Sequence, residues 1–160
     1  MGQETEKRIL RVYFENPGKD FTIREISNLT KIPRATVHKK LKEIKNSEYF
    51  KDELYFKIKK ANYYIEKILS SGFIRFIIDE LNPSLIILYG SFRKGESNKE
   101  SDIDLFIESP VKKNIDFKKY EKKIGHKIDL FVELSINNLN DNLFNNVVNG
   151  IKLYGSFKVK

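Results

Sequence analysis

The chain contains no cysteine, and that single absence removes disulfide frameworks, thiolate zinc sites and cysteine nucleophiles together. Histidine is nearly absent as well, with 2 in 160 residues. His38 has no second histidine and no paired carboxylate at metal-ligand spacing, so it is assigned no role. The N-terminal residues Met-Gly-Gln-Glu-Thr-Glu-Lys-Arg lack an apolar signal core. No apolar run approaches the ~18 residues of a membrane span, so the expected location is the cytoplasm, without a membrane partner. What is present is enough apolar bulk to fold unaided: 40% hydrophobic residues, with 12 Phe and 8 Tyr. Net charge is +8, of which +6 lies in residues 1–72, and a basic first half suits an anionic partner.

The N-terminal half reads as a succession of helices. Thr5 can cap a first helix carrying Ile9, Leu10, Val12 and Tyr13, stopped by Pro17-Gly18. Thr22 and Glu25 form a T-x-x-E capping box that starts a second helix at Ile23. Pro33 suits the first position of a third helix, and Asn46 suits a left-handed cap at its end. In that third helix Val37, Leu41 and Ile44 share one stripe. The opposite faces carry Arg34, Thr36, His38, Lys39, Lys40 and Lys42, a basic and hydrogen-bonding surface suited to a DNA major groove. Tyr49 to Ile58 alternates aromatic and charged residues around Asp52-Glu53, which predicts a short hairpin. Residues 4–62, chiefly TIREISNLTKIPRATVHKKLKEI, resemble the winged helix-turn-helix domains of prokaryotic transcriptional regulators. The resemblance implies a DNA-binding domain over residues 1–70, with Arg34, Thr36, Lys39 and Lys40 on DNA, and it is compatible with a homodimer.

Residues 62–81 continue a helical pattern broken at Ser70-Ser71-Gly72. Leu85-Ile86-Ile87-Leu88-Tyr89 then predicts a strand covered on both faces, and it runs directly into Gly90-Ser91. Ten residues further stand Asp102-Ile103-Asp104, opening a second apolar strand. Alternation places both carboxylates on one face, where they repel unless a divalent cation neutralises them; hard oxygen ligands match Mg²⁺. Gly90 lets backbone approach a phosphate, and Ser91 offers a hydroxyl and amides to it. A third strand, Lys127 to Glu133, repeats the phrase IDLF. If it pairs in register with the second, Asp129 joins Asp102 and Asp104 in a site able to hold two cations about 3.5–4 Å apart.

This region, from about Phe73 to the end, resembles the minimal nucleotidyltransferases of the DNA polymerase beta superfamily, on the Gly-Ser plus Asp-x-Asp pattern. The resemblance implies that Asp102, Asp104 and Asp129 are catalytic and bind two Mg²⁺. It also implies that Gly90, Ser91 and Arg93 bind ATP or another nucleoside triphosphate, and that VVNGIKLYG forms a closing helix and short strand. The expected architecture is α+β: a winged helix-turn-helix over 1–70, then a small α/β nucleotidyltransferase domain with a mixed sheet over 71–160. The family resemblance also implies transfer of AMP to a hydroxyl, as in antitoxins that modify a HEPN-type toxin partner. The alternative is a DNA-binding regulator whose second domain senses nucleotide or docks a partner without catalysis.

Overall fold

The computed structural model describes residues 2–156. Six helices come first: α1 (Gly2–Glu15), α2 (Ile23–Thr30), α3 (Arg34–Asn46), α4 (Glu48–Lys51), α5 (Glu53–Ser70) and α6 (Phe73–Leu81). They are followed by β1 (Leu85–Tyr89), α7 (Gly90–Lys94), β2 (Ile103–Glu108), α8 (Lys118–Ile124) and β3 (Ile128–Glu133). A 3₁₀ turn (Ile136–Asn138), α9 (Asp141–Val148) and β4 (Ile151–Gly155) complete the chain. The class is α+β. Among the described residues no helix is long and apolar enough to cross a membrane.

The four strands form one mixed sheet in the order β3-β2-β1-β4. β1 runs antiparallel to β2 and β4, whereas β2 and β3 are parallel, joined by the crossover through α8. One sheet face buries Ile86, Leu88, Ile103, Leu105, Ile107 and Ile128 in a cluster that continues without interruption into Ile9, Phe14, Ile26, Leu41 and Ile68 of the N-terminal helices. The other face, with Leu85, Ile87 and Phe106, is covered only in part, by Ile136 and Val147. The half-open second face is the one that carries the acidic side chains.

Local chemistry explains the N-terminal helices. The Thr22 hydroxyl accepts the Glu25 amide at 3.2 Å and the Glu25 carboxylate accepts the Thr22 amide at 2.8 Å, closing the capping box. Val37, Leu41 and Ile44 are buried along α3 as their spacing demands. Three boundary expectations shift. α1 begins at Gly2 and carries Thr5 inside it; Pro33 is the N-cap of α3, not its first residue. Asn46 ends α3 in helical geometry, and among the described residues the left-handed non-glycine positions are instead Lys31 (φ 56°) and Asn82 (φ 44°).

The predicted hairpin over residues 49–58 is not formed: the segment is α4 and the first turn and a half of α5. Asp52 is a helix cap, its carboxylate accepting the Tyr55 amide at 3.1 Å. Beyond it Phe56, Lys60, Tyr64 and Ile68 turn inward every fourth residue, the period of a helix, where a strand would alternate. Tertiary packing reinforces the helix: Phe56 meets Phe14 edge-on at 5.2 Å, and Phe50 meets Tyr13 at 5.2 Å. Among the described residues, no strand pair stands beside α3 in the place of a wing.

Candidate active site

The two IDLF strands pair in register, Asp104 opposite Asp129 and Phe106 opposite Phe131. On the other side of β2, Asp104 faces Tyr89 of β1. Because alternate residues share a face, Tyr89, Asp104 and Asp129 form one row across three strands. Phe106 and Phe131, stacked with centroids 6.4 Å apart, form part of the row behind it. Asp104 is half-buried, whereas Asp129 and Asp102, the latter just ahead of β2, are exposed.

Electrostatics follow from that arrangement. Burial pushes the Asp104 carboxyl above the usual carboxylate range, and the charges of Asp129 and then Asp102 push it further in the same direction. Tyr89 is shifted upward as well, by burial first and then by Asp104 and Asp129. Asp104 thus lies within reach of the charges of both other carboxylates at the end of the sheet. Among the described residues no three acidic, histidine or cysteine side chains already converge as a cluster that could hold a metal. The donor set nonetheless fits a hard divalent cation: all oxygen, with mutual repulsion that a dication would relieve. Asp102, Asp104 and Asp129 are the residues that would hold it.

Gly90 opens α7 with φ +71°, and it has no room for a side chain. A Cβ there would overlap Oδ2 of Asp104 and come within 2.9 Å of its Cγ. The Gly90-Ser91 turn therefore lies against the β2 carboxylate, which brings the Gly-Ser motif and the acidic motif to one place. Ser91 and Arg93 are both half-buried on α7, anchored by Phe92, which is fully buried against Tyr64 with centroids 4.8 Å apart. A groove of about 640 Å³ beside Asp102 is lined by four lysines, Lys99, Lys118, Lys122 and Lys127, and by Glu100 and Glu121.

The residues expected on DNA lie elsewhere, on α3. Arg34, Thr36 and Lys39 are exposed, as are His38 and Lys42, while Lys40 is half-buried and paired with Glu43 at 2.5 Å. Three residues that the sequence left without a role stand near the acidic row or its supports: Tyr89 in the row itself, and Lys60 and His126 beneath the loop leading to Asp102. The clue for Tyr89 was its place four residues along a buried strand from Leu85, ending directly at Gly90. For Lys60 the helical stripe of Phe56, Tyr64 and Ile68 was a clue that its charge obscured; for His126 no local pattern pointed to the burial it shows.

The family model described as the nucleotidyltransferase domain matches residues 70–154. A Methanocaldococcus jannaschii protein, whose name proposes protein adenylyltransferase activity, is 36% identical over 67 residues, covering 38% of this chain and 67% of that protein. No solved structure matches the chain. The matched span contains Gly90-Ser91, Asp102, Asp104 and Asp129 together, and the chain belongs to the nucleotidyltransferase domain family.

Proposed function

We propose that the chain is a Mg²⁺-dependent nucleotidyltransferase that moves AMP from ATP onto a hydroxyl of a partner protein, and that its N-terminal helices bind DNA. The observation that carries the reading is the in-register pairing of Asp104 with Asp129 directly beneath the Gly90 turn. Divalent cations at the three carboxylates would supply charge neutralisation for the triphosphate and the developing transition state. Gly90 and Ser91 bind the triphosphate, and Arg93, one turn along α7, adds positive charge. The acceptor oxygen attacks the α-phosphorus as the bond to the β-phosphate bridging oxygen breaks. Pyrophosphate leaves with that electron pair, and Asp129, exposed at the sheet end, takes the hydroxyl proton.

A tyrosine of a co-encoded HEPN-type protein is the preferred acceptor, consistent with the name of the M. jannaschii relative. Mass spectrometry of that partner after incubation with the chain, Mg²⁺ and ATP should find an AMP-modified tyrosine; an unmodified partner sinks this acceptor. The second reading, a regulator that senses nucleotide or docks a partner without transfer, draws on the absence, among the described residues, of three acidic side chains already gathered as a metal cluster.

DNA binding rests on the exposed Arg34, Thr36 and Lys39 with the half-buried Lys40 on α3. Affinity for the upstream region should fall with salt, and Arg34→Ala with Lys39→Ala should reduce the log–log salt slope by roughly 2, about one per phosphate contact. A salt-independent or absent interaction removes DNA from the account.

A further inference from the structure

Residues 95–101 join α7, with the Gly90-Ser91 turn, to the Asp102-Ile103-Asp104 strand, so the path of this loop sets where the two motifs lie relative to each other. Its own hydrogen bonds close only the tip: the Asn98 amide to the Ser101 hydroxyl at 2.9 Å and the Glu100 amide to the Asn98 side chain at 2.9 Å. Most of the rest is held from outside, largely by the N-terminal helices. Gly95 packs on the α5 backbone so closely that a Cβ would overlap the Lys57 carbonyl oxygen and stand 2.7 Å from the Lys57 Cα. Glu96 pairs with Lys57 at 3.5 Å. The Lys99 amide donates to the Glu15 carbonyl of α1 at 3.0 Å.

At the centre is Lys60 of α5, 1% exposed, whose Nζ donates to the Ser97 carbonyl. Burial lowers this amine to about 8, against the opposing pull of Glu15. An ammonium is a costly way to fill space in a core, and a methionine would fill it without desolvating a charge. What the amine supplies and a methionine cannot is a directed bond to one carbonyl of the loop. His126 repeats the device at the other end. The Ser101 carbonyl can only accept, so Nδ1 donates to it at 3.0 Å; burial holds the ring neutral, leaving Nε2 to accept from the Tyr64 hydroxyl at 3.3 Å.

We infer that Lys60, contributed by the N-terminal half, is a positioning residue of the nucleotidyl-transfer site, holding the 95–101 loop so that the Gly90-Ser91 turn and the Asp102–Asp104 carboxylates address one triphosphate. This rests on the function proposed above. The N-terminal helices are then part of the transferase apparatus, and a nucleotidyltransferase half cut free at residue 71 would lose its alignment.

The test uses the full chain and Mg²⁺·ATP as probe, with binding followed by calorimetry and folding by thermal melting. Lys60→Met is expected to keep or raise the melting temperature while the Kd for Mg²⁺·ATP rises about tenfold or more. A role confined to packing would move melting and not binding. If Lys60→Met does not fold, Gly95→Ala, which lifts the same loop from α5, must show the same loss of affinity. Folded variants that bind Mg²⁺·ATP within twofold of the unmutated chain overturn the positioning role and leave the proposed function standing. An unmutated chain that binds none of the four nucleoside triphosphates overturns both.

Discussion

Replacing Gly90 by alanine separates two effects that the structure makes independent. The first is backbone strain: Gly90 sits at φ +71°, and an L-residue in that region costs roughly 1–2 kcal/mol. For a chain of this size each kcal/mol lowers the melting temperature by about 2–4 °C, so strain alone predicts a fall of roughly 2–8 °C. The second is displacement: the new Cβ would occupy the space of Oδ2 of Asp104. The carboxylate is the end of a side chain and can rotate away, so the overlap adds little to the stability loss. Rotation takes that oxygen out of the row it shares with Asp129, however, and a shift of about 1 Å at a reacting centre costs on the order of 100-fold in rate. Gly90→Ala should therefore melt only a few degrees lower yet lose about 100-fold in transfer of α-labelled nucleotide. A variant that keeps transfer within threefold would refute the placement of Asp104 against the Gly90 turn. So would a loss of transfer that merely tracks unfolding.

Asp104→Asn removes a carboxylate that burial, and then the charges of Asp129 and Asp102, hold above its ordinary range. Without divalent cation the variant should melt higher than the unmutated chain, although transfer is abolished. Saturating Mg²⁺, at about 100 times its Kd, should add about 2.7 kcal/mol to the unmutated chain and far less to the variant; equal stabilisation of both would remove Asp104 from the metal site. His126 gives the pH dependence. Burial lowers its pKa below the ordinary value of about 6.5, so below that pH the unfolded chain takes up a proton that the folded chain refuses. Stability is thus full above about 6.5 and is lost as pH falls toward the lower folded value. Thermal melting from about pH 7 down to about pH 5 should decline less steeply in His126→Gln than in the unmutated chain, and parallel declines would show that another group controls the acid limb.

The C-terminal half, the nucleotidyltransferase domain, was legible in the sequence because its information is local. β1 is an unbroken apolar run ending at Gly90, and the repeated IDLF phrase places Asp104 and Asp129 at the same step of two strands, which then pair in register. Alternation decides the rest. The N-terminal half was legible where caps and stripes are strong, at Thr22-Glu25 and at Val37, Leu41 and Ile44. It failed at residues 49–58, where aromatic and charged residues alternate over a short window. Only the longer run from Phe56 to Ile68 shows the helical period, and the contacts that favour it, to Phe14 and Tyr13, come from α1.

The supports of the site were not legible, because their partners are remote in sequence. Lys60 reaches Ser97 across 37 residues and His126 reaches Tyr64 across 62. Lys60 falls on the inward stripe from Phe56 to Ile68, but its charge argues for solvent, as for Lys59 beside it; Lys60 is buried and Lys59 exposed. What no local rule anticipates is the partner that makes a buried amine tolerable, the Ser97 carbonyl of the loop that packs on α5.

The most direct measurement compares ATP labelled at the α-phosphate with ATP labelled at the γ-phosphate, each incubated with Mg²⁺, extract of the source cells and either the unmutated chain or Asp102→Ala/Asp104→Ala. Nucleotidyl transfer predicts that α-label becomes covalently attached to an acceptor, that γ-label leaves as pyrophosphate, and that the double variant does neither. Attachment of γ-label, or attachment of α-label undiminished by the double substitution, would contradict the assignment of the Gly90-Ser91, Asp102, Asp104 and Asp129 site as the seat of the reaction.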